Sequence, residues 1–186
     1  VFQPTEVSKH DSIKGKFSIL SVASAWSNEK GLSDFIKLRE RLPDSYAIIL
    51  LGLSDNQMRD LPSNIIGIRR TQSQQELAEW YSTADVVMSL SKAETFGLTI
   101  AEAMACGTPA ITYSSTALPE LITPDTGVVV EQGDIDGVVA AIKEIEHNGK
   151  EHYSEACRKR AEEHFDKDKC FEQYIELYNE LTNNTK

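Results

Sequence analysis

Two carboxylates, Glu94 and Glu102, stand eight positions apart around Phe96-Gly97. An apolar run, Val86-Val87-Met88-Ser89-Leu90, precedes them, and Gly107 closes the helical pattern that follows. The order is therefore strand, loop with a carboxylate, glycine at a helix start, and a carboxylate on the helix. An ionised Glu94 accepts hydrogen bonds but cannot donate, which suits sugar hydroxyls. The N–H groups of Gly97, Leu98 and Thr99 have no intrahelical acceptor at a helix start. They offer donors and the positive end of the helix dipole to a diphosphate, and Gly97 lets the backbone come close to a ligand. Glu102 can accept two ribose hydroxyls. Its alternative is an ordinary exposed helix acid, against which stand its small or apolar neighbours Ala101, Ala103, Met104, Ala105 and Cys106.

Two further loops carry charge that could meet a phosphate. The first, Ser24 to Gly31, follows an apolar run and ends in Lys30-Gly31. Lys30 is either a point charge for a phosphate or a solvated lysine at a helix start. The second, Gly67-Ile68-Arg69-Arg70-Thr71, places two arginines together in an acidic chain. They serve either as phosphate ligands or as surface partners of nearby acids.

These loops need a scaffold, and the pattern supplies one. Strand-like runs occur at Phe17–Ala23, Tyr46–Leu51, Asn64–Ile68, Asp85–Leu90, Pro109–Tyr113 and Thr126–Val130. Tyr46–Leu51 is apolar throughout, as expected for a strand covered on both faces. Helical spacing separates the strands: Leu32, Phe35, Ile36, Leu38 and Leu42, then Leu77, Trp80 and Tyr81. Ser73 and Glu76 have the spacing of a capping box. From Asp134 the pattern is helical to the end, with expected helices from Lys150 to His164 and from about Lys167 to Leu181. Such alternation predicts an α/β fold, a Rossmann-like doubly wound parallel sheet of about six strands. Ligands then bind at the carboxyl ends of the strands, near the topological switch point. Residues 1–16, polar and carrying Pro4 and Gly15, are expected to be a linker remnant, and residues 17–186 the domain.

At 186 residues, 40% hydrophobic and 26% charged, the chain can bury one sizeable core. Its formal net charge of −10 disfavours nucleic acid or an anionic membrane surface as a generic partner. No apolar run is long enough to span a membrane and no signal peptide opens the chain. Cys106, Cys157 and Cys170 give no disulfide framework and no zinc spacing, which fits a reducing, cytoplasmic setting. Cys106 is expected to be a small buried hydrophobe.

The stretches Tyr81 to Ser91, Glu94-Thr95-Phe96-Gly97, Glu102 to Pro109, and Pro119-Glu120 resemble the retaining, nucleotide-sugar-dependent glycosyltransferases of the GT-B architecture. This is the group 1 or capsular-polysaccharide type, and its paired-glutamate motif, with seven residues between the acids, matches Glu94 and Glu102. The likeness runs from Phe2-Gln3-Pro4 to the last helix. It implies the C-terminal, donor-binding half of such an enzyme, acting in cell-surface polysaccharide or glycolipid synthesis without a metal or other cofactor. Glu94 would contact donor-sugar hydroxyls, Glu102 the ribose, and Lys30 the diphosphate leaving group. The backbone of Phe96, Gly97, Leu98 and Thr99 would cradle the diphosphate, and the base of a UDP- or GDP-type donor would meet the backbone around Ile68.

Two positions depart from the family pattern. Ala25 stands where the family usually carries an arginine, so one phosphate charge is missing unless Arg69 or Arg70 replaces it. Thr116-Ala117-Leu118 stands where paired glycines are common. The family's N-terminal domain, which holds the acceptor and usually a catalytic histidine, has no counterpart. His10, His147, His152 and His164 lie outside the motifs and are expected on the surface. The chain should therefore bind donor weakly and catalyse nothing alone. Any peripheral contact with the inner face of a membrane would run through the missing domain, which the helices after Asp134 would help to contact. Two alternatives remain: a stand-alone nucleotide- or sugar-binding module, and another doubly wound enzyme such as a nucleotide-sugar epimerase.

Overall fold

The computed structural model describes residues 2–183; Val1 and residues 184–186, the outer ends of the two expected segments, lie outside the described residues. Six strands form one parallel sheet: β1 (Phe17–Val22), β2 (Tyr46–Leu51), β3 (Ile66–Ile68), β4 (Val86–Ser89), β5 (Ala110–Tyr113) and β6 (Gly127–Val130). Their order is β3-β2-β1-β4-β5-β6. The order reverses between β1 and β4, which pair through Ile19–Val86 and Leu20–Val87. A crevice therefore opens beyond the carboxyl ends of these two strands.

The helices are α1 (Leu32–Arg41), α2 (Asp55–Asp60), α3 (Gln74–Thr83), α4 (Leu98–Ala105), α5 (Leu118–Leu121), α6 (Ile135–Asn148), α7 (Lys150–His164) and α8 (Lys167–Asn183). Helix α1 packs beside α6, and α4 lies between α3 and α7 against β4 and β5. The small residues of α4 explain that fit: Ala101, Ala103 and Met104 are buried, so the helix sits close to the sheet. Every residue of β2 is buried, as its unbroken apolar run requires.

Several expected boundaries move by a residue or two. The third strand begins at Ile66, because a turn closed by the Ile65 N–H on the Pro62 carbonyl, 3.0 Å, occupies its expected start. Asp85 is used as a tie rather than as strand: its carboxylate accepts from the Ser18 N–H and hydroxyl, each at 2.7 Å. That clasp aligns β1 with β4 at the end remote from the crevice. The expected capping box at Ser73 forms only in half. The Ser73 hydroxyl accepts from the Glu76 N–H at 3.1 Å, but the Glu76 carboxylate takes the Gln72 N–H instead. A complete box forms at Ser54 and Gln57, opening α2.

Residues 2–16 lie along the domain. Ile13 is buried in the core, Phe2 meets the Tyr81 ring edge-on at 5.9 Å, and the Thr5 N–H reaches the Ser82 hydroxyl at 3.1 Å. All four histidines are exposed, and Cys106 is buried, its thiol pushed up to about 11 by burial.

Candidate functional site

The loop after β1 is anchored by Trp26. Its buried indole donates to the Leu51 carbonyl at 2.9 Å and packs edge-on against Phe35. The loop then turns through Gly31, the N-cap of α1, at φ +78°. The loop after β4 runs alongside. Lys92 N–H donates to the Glu29 carbonyl at 2.8 Å, and the Ser91 hydroxyl reaches the same oxygen at 3.3 Å. These ties bring Lys30 Nζ within 2.6 Å of Glu94 Oε1. The sequence offered the two as separate ligands for phosphate and sugar; the structure pairs them with each other.

Helix α4 points its amino end into this site. Gly97 is its N-cap at φ +98°, a left-handed conformation that glycine adopts without penalty. A Cβ there would come within 2.8 Å of Leu118 Cδ2, so the glycine also serves packing against α5. No side chain caps the helix and its first turn holds no acid. Among the described residues the N–H groups of Gly97, Leu98 and Thr99 have no hydrogen-bond acceptor. The positive helix end is thus left open.

Glu102 is on the next turn, half-buried, with Oε2 accepting from the Tyr81 hydroxyl at 2.9 Å. Burial raises its pKa above the ordinary glutamate value, and the Tyr81 bond works in the opposite direction. The bland reading of Glu102 as a freely exposed helix acid does not hold.

These groups share two adjoining hollows. One of about 260 Å³ is lined by Lys30, Glu94, Gly97, Leu98 and Thr99. The other, a cleft of about 810 Å³, continues from Leu98 and Thr99 past Glu102 to Ala25, Arg69 and Arg70. Volumes of this order hold a small organic ligand. Ala25 lines the cleft and brings no charge. Arg69 lies across it but pairs with Asp55, while Arg70 is exposed on the same rim. Ile68 does not line the cleft. Its carbonyl already accepts from the Gly52 and Leu53 N–H groups, at 2.9 and 3.2 Å. The Phe96 side chain faces the other way, edge-on to Phe165 at 5.6 Å.

Thr116 was legible only as a departure from a glycine pattern. It adopts φ +44°, the one positive-φ residue other than glycine among the described residues. This is a costly conformation for a β-branched side chain. Its hydroxyl clamps the Glu94 backbone, accepting from the N–H at 2.8 Å and donating to the carbonyl at 2.7 Å. Thr116→Gly relieves strain of about 1–2 kcal/mol, but it adds chain entropy of about 1 kcal/mol to the unfolded state and loses both hydroxyl bonds, so it should destabilise by only about 1 kcal/mol. Thr116→Val keeps the strain and loses both bonds, and should destabilise by about 1–2 kcal/mol. Denaturant titration of both variants checks this; a valine variant as stable as the glycine variant contradicts it.

Residues 2–164 match the family described as "Glycosyl transferases group 1". The chain belongs to this family. A curated member, N-acetyl-alpha-D-glucosaminyl L-malate synthase of Bacillus anthracis, is 34% identical over 116 residues, covering 61% of this chain and 30% of the relative. Sucrose-phosphate synthase from Thermosynechococcus elongatus has the same fold at TM-score 0.80 and 22% identity, over 98% of this chain and 50% of that one. Anabaena Alr3699/HepE, solved in complex with UDP-glucose, aligns at TM-score 0.77 and 20% identity, over 91% and 50%. These likenesses establish the Rossmann-like fold of GT-B glycosyltransferases. The chain spans about half the length of these two solved structures and less of the curated relative.

Proposed function

We propose that this chain is the donor-binding half of a retaining glycosyltransferase that uses a nucleoside-diphosphate sugar, in cell-surface polysaccharide or glycolipid synthesis. One observation carries the reading: Lys30, Glu94, Glu102 and the open amino end of α4 line adjoining hollows at the sheet's switch point. Glu94 takes sugar hydroxyls, Glu102 the ribose, and the N–H groups of Gly97, Leu98 and Thr99, with Lys30, take the diphosphate. As the sugar–phosphate bond breaks, negative charge grows on the leaving diphosphate, and these fixed donors stabilise it most there. No divalent cation is assigned a part.

An N-terminal domain would bring the acceptor and complete the active site. The exposed apolar stripe Phe171, Tyr174, Ile175, Tyr178 and Leu181 on α8 supports such a contact. No described helix is long and apolar enough to cross a membrane. A cytoplasmic enzyme, touching the membrane's inner face at most through that further domain, agrees with the reading. Alone, the chain is expected to bind donor weakly and to turn nothing over.

Titration of the 186-residue chain with UDP, GDP, UDP-glucose and GDP-mannose tests the proposal. Binding should be unchanged by EDTA and weakened in Glu102→Ala. No binding of any of these at millimolar concentration would sink it. A second reading, a stand-alone nucleotide- or sugar-binding module, draws on the uncharged Ala25 and on the engagement of Arg69 by Asp55. Transfer activity after adding the upstream domain decides against that reading.

A further inference from the structure

We propose that Tyr81 is a positioning residue that fixes the Glu102 carboxylate for bidentate recognition of the ribose; this rests on the reading of Glu102 given above. Tyr81 sits on α3, fully buried, and its hydroxyl donates to Glu102 Oε2 at 2.9 Å. The ring cannot follow a moving carboxylate. Phe2 packs edge-on against it, and the Tyr81 carbonyl accepts from the Thr108 hydroxyl at 2.6 Å, tying α3 to the turn after α4. Burial and the adjacent Glu102 charge push the phenol far above its usual pKa, so the hydroxyl remains a donor.

The position needs fixing because Glu102 borders two cavities. One is the cleft beside Leu98 and Thr99. The other, of about 510 Å³, lies towards α7 and the start of α8, lined by Arg158 and Lys167 together with Glu162, Asp166 and Asp168. A carboxylate free to rotate would divide between the two cavities and present both oxygens to a ribose for only part of the time. Among the described residues Oε1 has no hydrogen-bond partner, and Oε2 retains acceptor capacity beside the Tyr81 bond. The held carboxylate can therefore present both oxygens to the paired hydroxyls of a ribose.

The test uses the 186-residue chain with UDP and GDP and with their 2′,3′-dideoxy counterparts. The wild type should prefer the ribose forms. Tyr81→Phe removes one hydroxyl from a filled core and should lower affinity for the ribose form about tenfold, less than the loss of a whole charge-assisted hydrogen bond, because the Glu102 carboxylate remains but is no longer held. The dideoxy form should bind as before. In a Glu102→Ala background the same substitution should change neither. Glu102→Gln tests the orientation without touching the tyrosine: the bond from Tyr81 holds its amide oxygen and turns the uncharged NH2 to the cleft, where it can only donate to a ribose oxygen, so the ribose preference should fall. An undiminished ribose preference in Tyr81→Phe or in Glu102→Gln, or equal losses for both nucleotide forms in Tyr81→Phe, overturns the role of Tyr81. A wild type that binds both forms equally overturns the ribose reading of Glu102 itself.

Discussion

Lys30→Ala is expected to weaken binding of a nucleoside diphosphate about thirtyfold, and Glu94→Gln to strengthen it about fivefold. The first figure is one charge-assisted hydrogen bond to phosphate, about 2 kcal/mol. The second follows from the pairing of Lys30 with Glu94. Lys30 Nζ lies 2.6 Å from Glu94 Oε1, so a diphosphate must share or displace a carboxylate to reach its cation. The two side chains remain 35% and 20% exposed, which keeps the competition near about 1 kcal/mol rather than the several a dry site would give.

Glu94→Gln separates two roles. A sugar attached to the diphosphate removes one charge from the terminal phosphate and supplies hydroxyls for the Glu94 carboxylate. Glu94 thus favours the intact donor over the nucleoside diphosphate left after transfer. The glutamine variant should bind UDP or GDP more tightly and the corresponding sugar nucleotide no better than wild type. Calorimetric titration of the four ligands against wild type and both variants reads these differences. Equal strengthening for nucleotide and sugar nucleotide would leave Glu94 as a simple electrostatic repeller and remove its part in sugar recognition.

The fold was legible where hydrophobic periodicity alone sets an element. The unbroken run of β2 demanded cover on both faces, and α7 spans its expected residues. Helix α2 escaped because it buries no residue: its signal lay in the caps Ser54 and Gln57, which a search for apolar period passes over. Within the site, residue types announced their chemistry, but pairings did not. Lys30 and Glu94 are 64 positions apart and meet because β1 neighbours β4, an order that spacing along the chain does not encode. Tyr81 read as a core aromatic, and only the position of its hydroxyl gives it a partner in Glu102. Thr116 marked a departure from glycine, yet its dihedral angle and its clamp on Glu94 belong to the folded loop.

Gly31→Ala should be a damaging small substitution at this site, costing about 3–4 kcal/mol and lowering the melting temperature by roughly 10 °C. Gly15 provides the scale. It has φ +74°, close to the +78° of Gly31, but nothing within 4 Å of where a Cβ would sit. Gly15→Ala therefore meets only the left-handed backbone penalty, about 1 kcal/mol. A Cβ on Gly31 would lie 2.3 Å from the Leu90 carbonyl oxygen and 2.8 Å from its carbon. Those atoms are backbone at the end of β4 and cannot rotate aside, so the loops after β1 and β4 must separate. That movement strains the bonds from Lys92 and Ser91 to the Glu29 carbonyl and draws Lys30 away from Glu94. The alanine variant should then lose nucleotide affinity as well as stability, even well below its melting temperature, whereas Gly15→Ala should bind as wild type does. Thermal melts and titrations of the two variants compare a common dihedral penalty with and without the clash. Equal stability losses would mean that the backbone conformation, and not the contact with β4, is what requires glycine at position 31.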